Sequence, residues 1–412
     1  MTQAVLVLNV GSSSIKYQLL ELGSENAVSG GLGAGGGRGE RLATGLVERI
    51  GDGGAGTLSH RQPGAAPYEV TGTFADHAQA LSSVLAAFRD VGPDLAAIRL
   101  TAVGHRVVHG GTEFTSATVL DDAVLGRIRD LIPLAPLHNP ANITGIEVAR
   151  RAFPEVPQVA VFDTAFHQTL PEAAHTYAVP REWRERFAVR RYGFHGTSHQ
   201  YVSRRAAAML GRAGSQTNVI VLHLGNGASV SAVEGGVSVE TSMGLTPLEG
   251  LVMGTRSGDL DPAIPAYLQR VAGLDAGEVD GALNRESGLL GLAGSNDLRD
   301  VKKKAADGDP AARLAIDVYC HRIRKYVGAY YAVLGRVDAV VFTAGVGEND
   351  AQTRALSLAG LSRLGIAVDG RRNEAQGGGE RFISPDGAEV AILVIPTDEE
   401  LEIAQQALAA VS

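Results

Sequence analysis

Val5-Leu6-Val7-Leu8-Asn9-Val10-Gly11-Ser12-Ser13-Ser14-Ile15-Lys16-Tyr17 is the stretch from which the fold can be read. A continuous apolar run stops at an Asn, turns through Gly-Ser-Ser-Ser and resumes with a Lys. The apolar run reads as a strand buried on both faces. The turn is rich in hydroxyls and backbone N–H groups, so it can wrap phosphate oxygens, with Ser12, Ser14 and Lys16 in reach. The spacing is not that of a Walker A loop, and an ordinary β-turn with a solvated Lys fits the stretch as well. A second copy decides between the two. Val219-Ile220-Val221-Leu222-His223-Leu224-Gly225-Asn226-Gly227-Ala228-Ser229-Val230 repeats the plan, with Leu8-Asn9-Val10-Gly11 lying over Leu222-His223-Leu224-Gly225. A repeat half a chain apart is not a solenoid period. It predicts two similar domains, each with a strand–turn–strand. Two such turns opposed across a cleft make a site for a nucleoside triphosphate.

The chain has 412 residues, room for two domains, with 45% hydrophobic and 20% charged residues, the balance of a soluble globular protein. Its net charge of −8 disfavours nucleic acid or an anionic membrane as partner. The single cysteine, Cys320, rules out an intrachain disulfide, fits a reducing compartment and reads as core. The first apolar run is too short for a signal-peptide core, and no run approaches a membrane span. A cytoplasmic location is the expectation.

Outward from the first hairpin, Ile15–Leu22 reads as its partner strand. Gly30–Gly39 has linker composition and reads as a surface insertion without chemistry. Thr73-Phe74-Ala75-Asp76 resembles a capping box opening an amphipathic helix that ends at Gly92-Pro93. In Val103-Gly104-His105-Arg106-Val107-Val108-His109-Gly110-Gly111, Arg106 sits on a short apolar strand. It either pairs with a buried carboxylate or forks onto a substrate carboxylate or phosphoryl oxygen. After a proline-fixed loop containing Leu137 and His138, Asn142 is placed to cap a helix. Asp163 ends a buried strand, where α/β proteins hold metals and reacting groups, and a helix cap is its competing role. His195 lies on a tight turn between Gly193 and Gly196, with Thr197 or Ser198 expected to cap the next helix. A neutral His there can donate to a developing phosphoryl charge.

The long loop Thr241–Pro262 carries Pro247, Arg256 and Asp259, and loops of that length are usually functional. Ser295-Asn296-Asp297-Leu298-Arg299 reads as a polar turn opening a helix. Pro310–Leu334 reads as a long apolar helix that could also serve a subunit interface. Ala339–Thr343 reads as a strand, followed by a glycine turn through Gly345-Val346-Gly347-Glu348-Asn349 in which backbone can approach a ring or ribose. Pro396-Thr397-Asp398-Glu399-Glu400 starts the last helix, where acids also suit the dipole.

Taken together, these stretches resemble the acetate kinases, in the acetokinase group of the sugar kinase, heat-shock chaperone and actin superfamily. The resemblance spans nearly the whole chain, from Asn9-Val10-Gly11-Ser12-Ser13-Ser14-Ile15-Lys16 through Phe162-Asp163-Thr164-Ala165-Phe166-His167 and Met253-Gly254-Thr255-Arg256-Ser257-Gly258-Asp259 to Ile395-Pro396-Thr397-Asp398-Glu399-Glu400. It implies an α/β fold of two duplicated actin/ribonuclease H-like domains around an active-site cleft. The first domain would be residues 1–163 plus 400–412, and the second, residues 164–399, would bind nucleotide and form a homodimer. The implied activity is reversible, direct transfer of the ATP γ-phosphoryl to acetate, giving acetyl phosphate and ADP. By motif position, Asn9 and Glu399 would sit near Mg²⁺. Ser12, Ser14, Lys16, His223, Leu224, Gly225, Asn226, Gly227, Asp297, Leu298, Arg299, Gly345, Val346, Gly347, Glu348 and Asn349 would hold ATP or ADP. Arg106 would grip the acetate carboxylate, with Asp163, His195 and Arg256 around the transferring phosphoryl. Val108, Leu137, Phe194 and Pro247 fall at the family's methyl pocket. Two departures stand out: Asp398 replaces the usual Asn before the Glu pair, adding charge near the metal, and the Gly30–Gly39 insertion is atypical. A propionate or butyrate kinase is the nearest alternative, and a non-catalytic ATP-dependent binding module is the alternative from another class. Acetate needs no general base, so Asp163 is expected to orient Arg106 or a metal-bound water.

Overall fold

The computed structural model describes residues 3–11, 13–23, 39–95, 97–136, 138–375 and 377–412. Ser12, Leu137 and the glycine-rich insertion up to residue 38 lie outside the described residues. The chain divides into two compact units, Met1–Phe166 with Asp398–Ser412, and His167–Thr397.

In the first unit the opening hairpin forms as its sequence dictates. β1 (Gln3–Val10) and β2 (Ser14–Leu22) pair antiparallel, with Val10 opposite Ile15. The turn is closed by a 2.8 Å bond from Gly11 N to Ser14 O. Three more strands, β3 (Glu40–Glu48), β4 (Gly56–Arg61) and β5 (Tyr68–Gly72), continue the meander. On the other side of β1 come β6 (Leu100–Val107), β7 (Thr118–Val119) and β8 (Gln158–Phe162). The sheet order is β5-β4-β3-β2-β1-β6-β8-β7, and β1, β6 and β8 are parallel.

The second unit repeats this plan. β9 (Asn218–Leu224) and β10 (Ala228–Glu234) form the hairpin, and β11 (Val237–Thr241) pairs with β10. β12 (Ala339–Thr343) runs parallel to β9 and to β14 (Ala391–Val394), with the short β13 (Arg381–Phe382) at the edge. The order is β11-β10-β9-β12-β14-β13. In both units the lead strand therefore has its hairpin on one side and two parallel strands on the other. Parallel neighbours require helical crossovers, which the intervening helices supply. This is the duplicated actin/ribonuclease H-like fold.

Val5, Leu6, Val7 and Leu8 are all buried, as a strand covered on both faces must be. On one face Leu6, Leu8 and Tyr17 pack with Leu81, Val84 and Phe88 of the helix His77–Val91 and Val148 of the helix Asn139–Ala152. Each such side chain contributes ~1.5–3 kcal/mol of burial. The other face is covered by the C-terminal helix Glu399–Val411. A Cβ at Gly104 on β6 would lie 2.9 Å from Ile403 Cγ2, so only glycine permits that approach. In the second unit Cys320 is buried on the helix Pro310–Leu334. Among the described residues no helix is long and apolar enough to cross a membrane.

Several local expectations are corrected. The first helix is capped by Asp76, which accepts from Gln79 N at 2.8 Å, and Thr73 stays outside it. Asn142 lies inside its helix, which starts at Asn139. Thr197 and Ser198 lie inside the helix Gly196–Met209, entered through His195 in left-handed backbone at φ 57°. After β12 no turn intervenes; the helix Ala344–Asn349 begins at once, with Ala344 at φ 63°.

Candidate active site

Strand order places the first group of candidate residues. Asn9 is next to last in β1, Arg106 next to last in β6, and Asp163 follows β8 directly. These parallel neighbours bring their carboxyl ends together, the position at which open α/β sheets bind ligands. Arg106 Nε donates to Asp163 Oδ1 at 3.1 Å and Oδ2 at 3.0 Å, its Nη2 also bonds Oδ2, and Nη1 donates to Asn9 Oδ1 at 3.2 Å. Asp163 is 1% exposed at its side chain and Arg106 22%. Burial opposes the Arg106 charge, but the Asp163 carboxylate more than offsets it, and the guanidinium is held above its usual range. The paired and the ligand-facing readings of Arg106 are thus compatible. Asp163 fixes one edge of the fork, and Nη1 reaches across to β1.

The C-terminal helix adds acids from its first turn. Desolvation pushes the partly buried Glu399 up to about 7, against the opposing pull of Arg106 and with the added repulsion of Asp163. Glu400 is buried and pairs with Lys16 Nζ at 2.6 Å. Three acids, Asp163, Glu399 and Glu400, face two cations, and Glu399 is the one left short of positive charge. Asn9 and Glu399 offer hard oxygen donors, and Mg²⁺ is usually held by one or two carboxylates plus waters and substrate phosphates. The donor set therefore fits that ion, although among the described residues no group of three or more His, Cys, Asp or Glu is arranged to hold a metal. The extra charge of Asp398 is spent elsewhere. It caps the helix through Leu401 N at 3.2 Å and forms an ion pair with Arg41.

Two asparagines that sequence reasoning did not place in the site fix its strand ends. Asn142 accepts from Val108 N at 3.1 Å and donates to Val10 O at 2.6 Å. Asn139 accepts from His109 N and donates to His109 O, both at 3.2 Å. His77 Nε2 donates to Gly11 O at 2.7 Å and steadies the first turn. The Asn139-Pro140-Ala141-Asn142 spacing on one helical face was the available signal.

The second unit gathers a different set. β9 ends in His223 and Leu224, and the turn closes through a 3.0 Å bond from Gly225 N to Gly227 O. The rings of His195 and His223 stack at 4.2 Å, 22° apart. A Cβ built at Gly227 would lie 3.6 Å from both Arg256 Nη1 and His195 Nε2. That turn, His195 and Arg256 therefore face one point. Arg256 Nη1 donates to Pro247 O at 3.1 Å, and among the described residues no carboxylate pairs with it. Burial alone lowers its hold on the proton. An uncompensated guanidinium of this kind is a site poised for an anion. Phe194 is buried and Pro247 partly so.

A pocket of about 640 Å³ in the same unit is lined by Gly225, Asn226, Asp297, Leu298, Arg299, Gly345, Val346 and Asn349, eight of the residues expected to hold nucleotide. Arg299 is anchored to Asp297 at 2.6 Å and is otherwise exposed. Gly347 instead packs against Phe342, and Glu348 turns its Oε1 to Thr397 N at 3.3 Å. Sequence reasoning missed Lys302, Tyr319 and Asp350 in this lining. Lys302 is one turn beyond Arg299 and forms an ion pair with Asp350, so helical spacing could have found it. A larger groove of about 760 Å³ in the first unit, between Val119 and Gln158, holds none of the candidate residues. Its Arg129 and Arg150 are spent on Glu147 and Asp122.

Two sheets of one plan, with an anion-poised guanidinium beside a glycine-bounded pocket, define a phosphotransferase of the actin-like class. The model of the acetokinase family matches residues 4–405, and the chain belongs to that family. It is 57% identical over 408 residues to an acetate kinase of Streptomyces avermitilis, covering 99% of this chain and 97% of that protein. Among solved structures, the Porphyromonas gingivalis acetate kinase is similar with a TM-score of 0.91 and 41% identity over all of both chains. A propionate kinase from Francisella tularensis is similar with a TM-score of 0.87 and 42% identity over 98% of each chain.

Proposed function

We propose that this chain is an acetate kinase, transferring the ATP γ-phosphoryl reversibly and directly to the carboxylate of acetate. The observation that carries the reading is the Arg256 guanidinium, which has no acid partner among the described residues and faces the Gly227 turn together with His195. Phosphoryl transfer is achieved mainly by positioning and charge neutralisation, and these groups supply both. The nucleotide lies in the pocket lined by Gly225, Asn226, Asp297, Leu298, Arg299, Gly345, Val346 and Asn349. Arg256 and His195 donate to the transferring phosphoryl, and Arg106, held by Asp163, receives the acetate carboxylate. Val108 limits the acyl chain, with Leu137, Phe194 and Pro247 assigned to the same task. Asn9 and Glu399 are the residues that would hold Mg²⁺, which when bound neutralises charge on the phosphate oxygens. Lys16, which pairs with Glu400, is assigned to the nucleotide phosphates. The protein acts as a cytoplasmic homodimer, and its product, an activated acyl phosphate, suits a step toward acetyl-CoA.

The test is hydroxylamine trapping with MgATP and acetate, propionate or butyrate in turn. Acyl hydroxamate from acetate, with kcat/KM falling along the series, is the expected result. One methylene is worth only ~1–3 kcal/mol of discrimination, so a preference for propionate would move the substrate and keep the mechanism. No hydroxamate from any acid, with ATP still bound, would overturn the kinase reading in favour of a binding module.

A further inference from the structure

Behind His195 the second unit carries a row of side chains that the transfer step does not use. His195 Nδ1 lies 2.9 Å from Ser229 Oγ, which lies 2.7 Å from His199 Nε2. His199 Nδ1 in turn lies 2.7 Å from Ser231 Oγ. Ser229, Ser231 and His199 are fully buried. Burial, reinforced by His167 and His223, holds His199 well below the usual histidine range, so its imidazole is neutral.

A neutral imidazole has one donor and one acceptor nitrogen, and a hydroxyl has one hydrogen. The bonds in the row must therefore point the same way. In one setting Ser231 donates to His199 Nδ1, His199 Nε2–H donates to Ser229, and Ser229 donates to His195 Nδ1. His195 then carries its proton on Nε2. In the reverse setting His195 Nδ1–H donates to Ser229 and Nε2 presents a lone pair. A mixed row, with Ser229 accepting from both rings, leaves the Ser229 hydrogen without an acceptor in a dry interior, which costs roughly 1–3 kcal/mol.

His195 Nε2 faces the same point as Arg256 Nη1 over Gly227. A lone pair turned toward an anion there is repelled, and an N–H is attracted. We propose that Ser229, His199 and Ser231 form a positioning relay that fixes His195 as the Nε2–H tautomer and aims it at the transferring phosphoryl. Ring orientation is secured from the other face by stacking on His223, whose Nδ1 meets Ser198 Oγ at 2.8 Å, with Ser198 in turn 2.8 Å from Thr397 Oγ1. The relay is worth more than its separate bonds because aligned hydrogen bonds polarise one another. The inference rests on the proposed role of His195 at the phosphoryl group.

The experiment uses the full chain labelled with ¹⁵N-histidine, without substrate, and assigns the His195 resonances as those lost in His195→Ala. The wild type is expected to show His195 as Nε2–H. Ser229→Ala is expected to mix the tautomers and lower kcat about tenfold, the scale of one hydrogen bond, with KM for ATP and acetate changed less than about twofold. Ser229→Thr, which keeps the hydroxyl, is expected to restore both readouts. Ser231→Ala removes the far donor without touching His195 and is expected to weaken the tautomer preference. A wild-type His195 in the Nδ1–H form, or Ser229→Ala and Ser231→Ala spectra unchanged from wild type, overturns the relay. If His195→Ala keeps full kcat, the role of His195 in transfer fails, whereas the tautomer measurement stands on its own.

Discussion

In the Arg106–Asp163 pair a buried carboxylate holds one edge of the guanidinium that is proposed to receive acetate. Asp163 accepts from Nε and Nη2, which leaves Nη1 as the free-running edge of the fork, steadied by Asn9. Acetate is ionised at neutral pH, so the Asp163 carboxylate has no proton to remove. In the proposed mechanism its work is to pre-align a guanidinium that meets the acetate carboxylate bidentately. Asp163→Asn keeps the acceptor oxygen and deletes the charge. The guanidinium is then an under-compensated buried cation, a loss of about 3 kcal/mol or more where such pairs are broken. The expected outcome is a kcat lower by at least about a hundredfold together with a raised KM for acetate and an unchanged KM for ATP. Steady-state kinetics with each substrate varied separately give the answer, and near wild-type turnover with unaltered metal dependence would falsify the alignment role.

At the scale of elements, periodicity was legible wherever a single neighbour explains a residue. The two lead strands, their hairpins and the helix Pro310–Leu334 follow directly from apolar runs and glycine turns. Helix starts were less legible because a polar side chain near an N-terminus has competing long-range partners. Asn142 has the chemistry of a cap but serves Val10 and Val108 instead, more than thirty residues away. Ser198 likewise bonds His223, which local sequence cannot show. The candidate site was legible as motifs, while the pairing of Lys16 with Glu400 and the row behind His195 depend on tertiary registration. The same reasoning refines the expected subunit contact. The long helix spends Ile316, Tyr319, Ile323, Val327 and Tyr330 on its own unit and leaves Leu314 and Val333 exposed near its opposite ends, so it still offers apolar surface to a partner. The helix Ile264–Ala272 also leaves Ile264, Tyr267 and Val271 exposed, at spacings of three and four residues on one face. Such an apolar stripe suits a second copy of the chain. Tyr267→Asp combined with Val271→Asp is expected to convert a dimer to a 42.9 kDa monomer in light scattering, with the far-UV spectrum unchanged. A wild-type mass of one chain would remove the proposed assembly.

Across the whole molecule, both units bury neutral histidines, and this couples their stabilities to pH. Desolvation, opposed by Gln158, lowers His105 to about 4; desolvation lowers His109 to about 4; and desolvation, opposed by the Phe194 carbonyl, lowers His167 to about 4. Unfolded histidine titrates near 6.5. Between 6.5 and 4 the unfolded chain binds protons that the folded chain refuses, so the stabilising contribution is full above 6.5 and is lost as pH falls toward 4. Glu399 runs the other way. Desolvation raises it to about 7, so the folded chain takes up its proton first and regains some stability on acidification. Three histidines outweigh one carboxylate. A tenfold difference in proton affinity between the folded and unfolded chain is worth about 1.4 kcal/mol, so the net loss from pH 7 to pH 5 is on the order of 3 kcal/mol. Because His105 and His109 belong to the first unit and His167 to the second, both units are expected to weaken over the same range. Urea midpoints followed at pH 7.5 and pH 5, by one probe in each unit, should both move to lower urea. A midpoint that holds or rises on acidification in the second unit would mean that His167 is already charged in the folded state, and the neutral row behind His195 would then need a different proton arrangement; in the first unit it would mean that Glu399 offsets His105 and His109 in full.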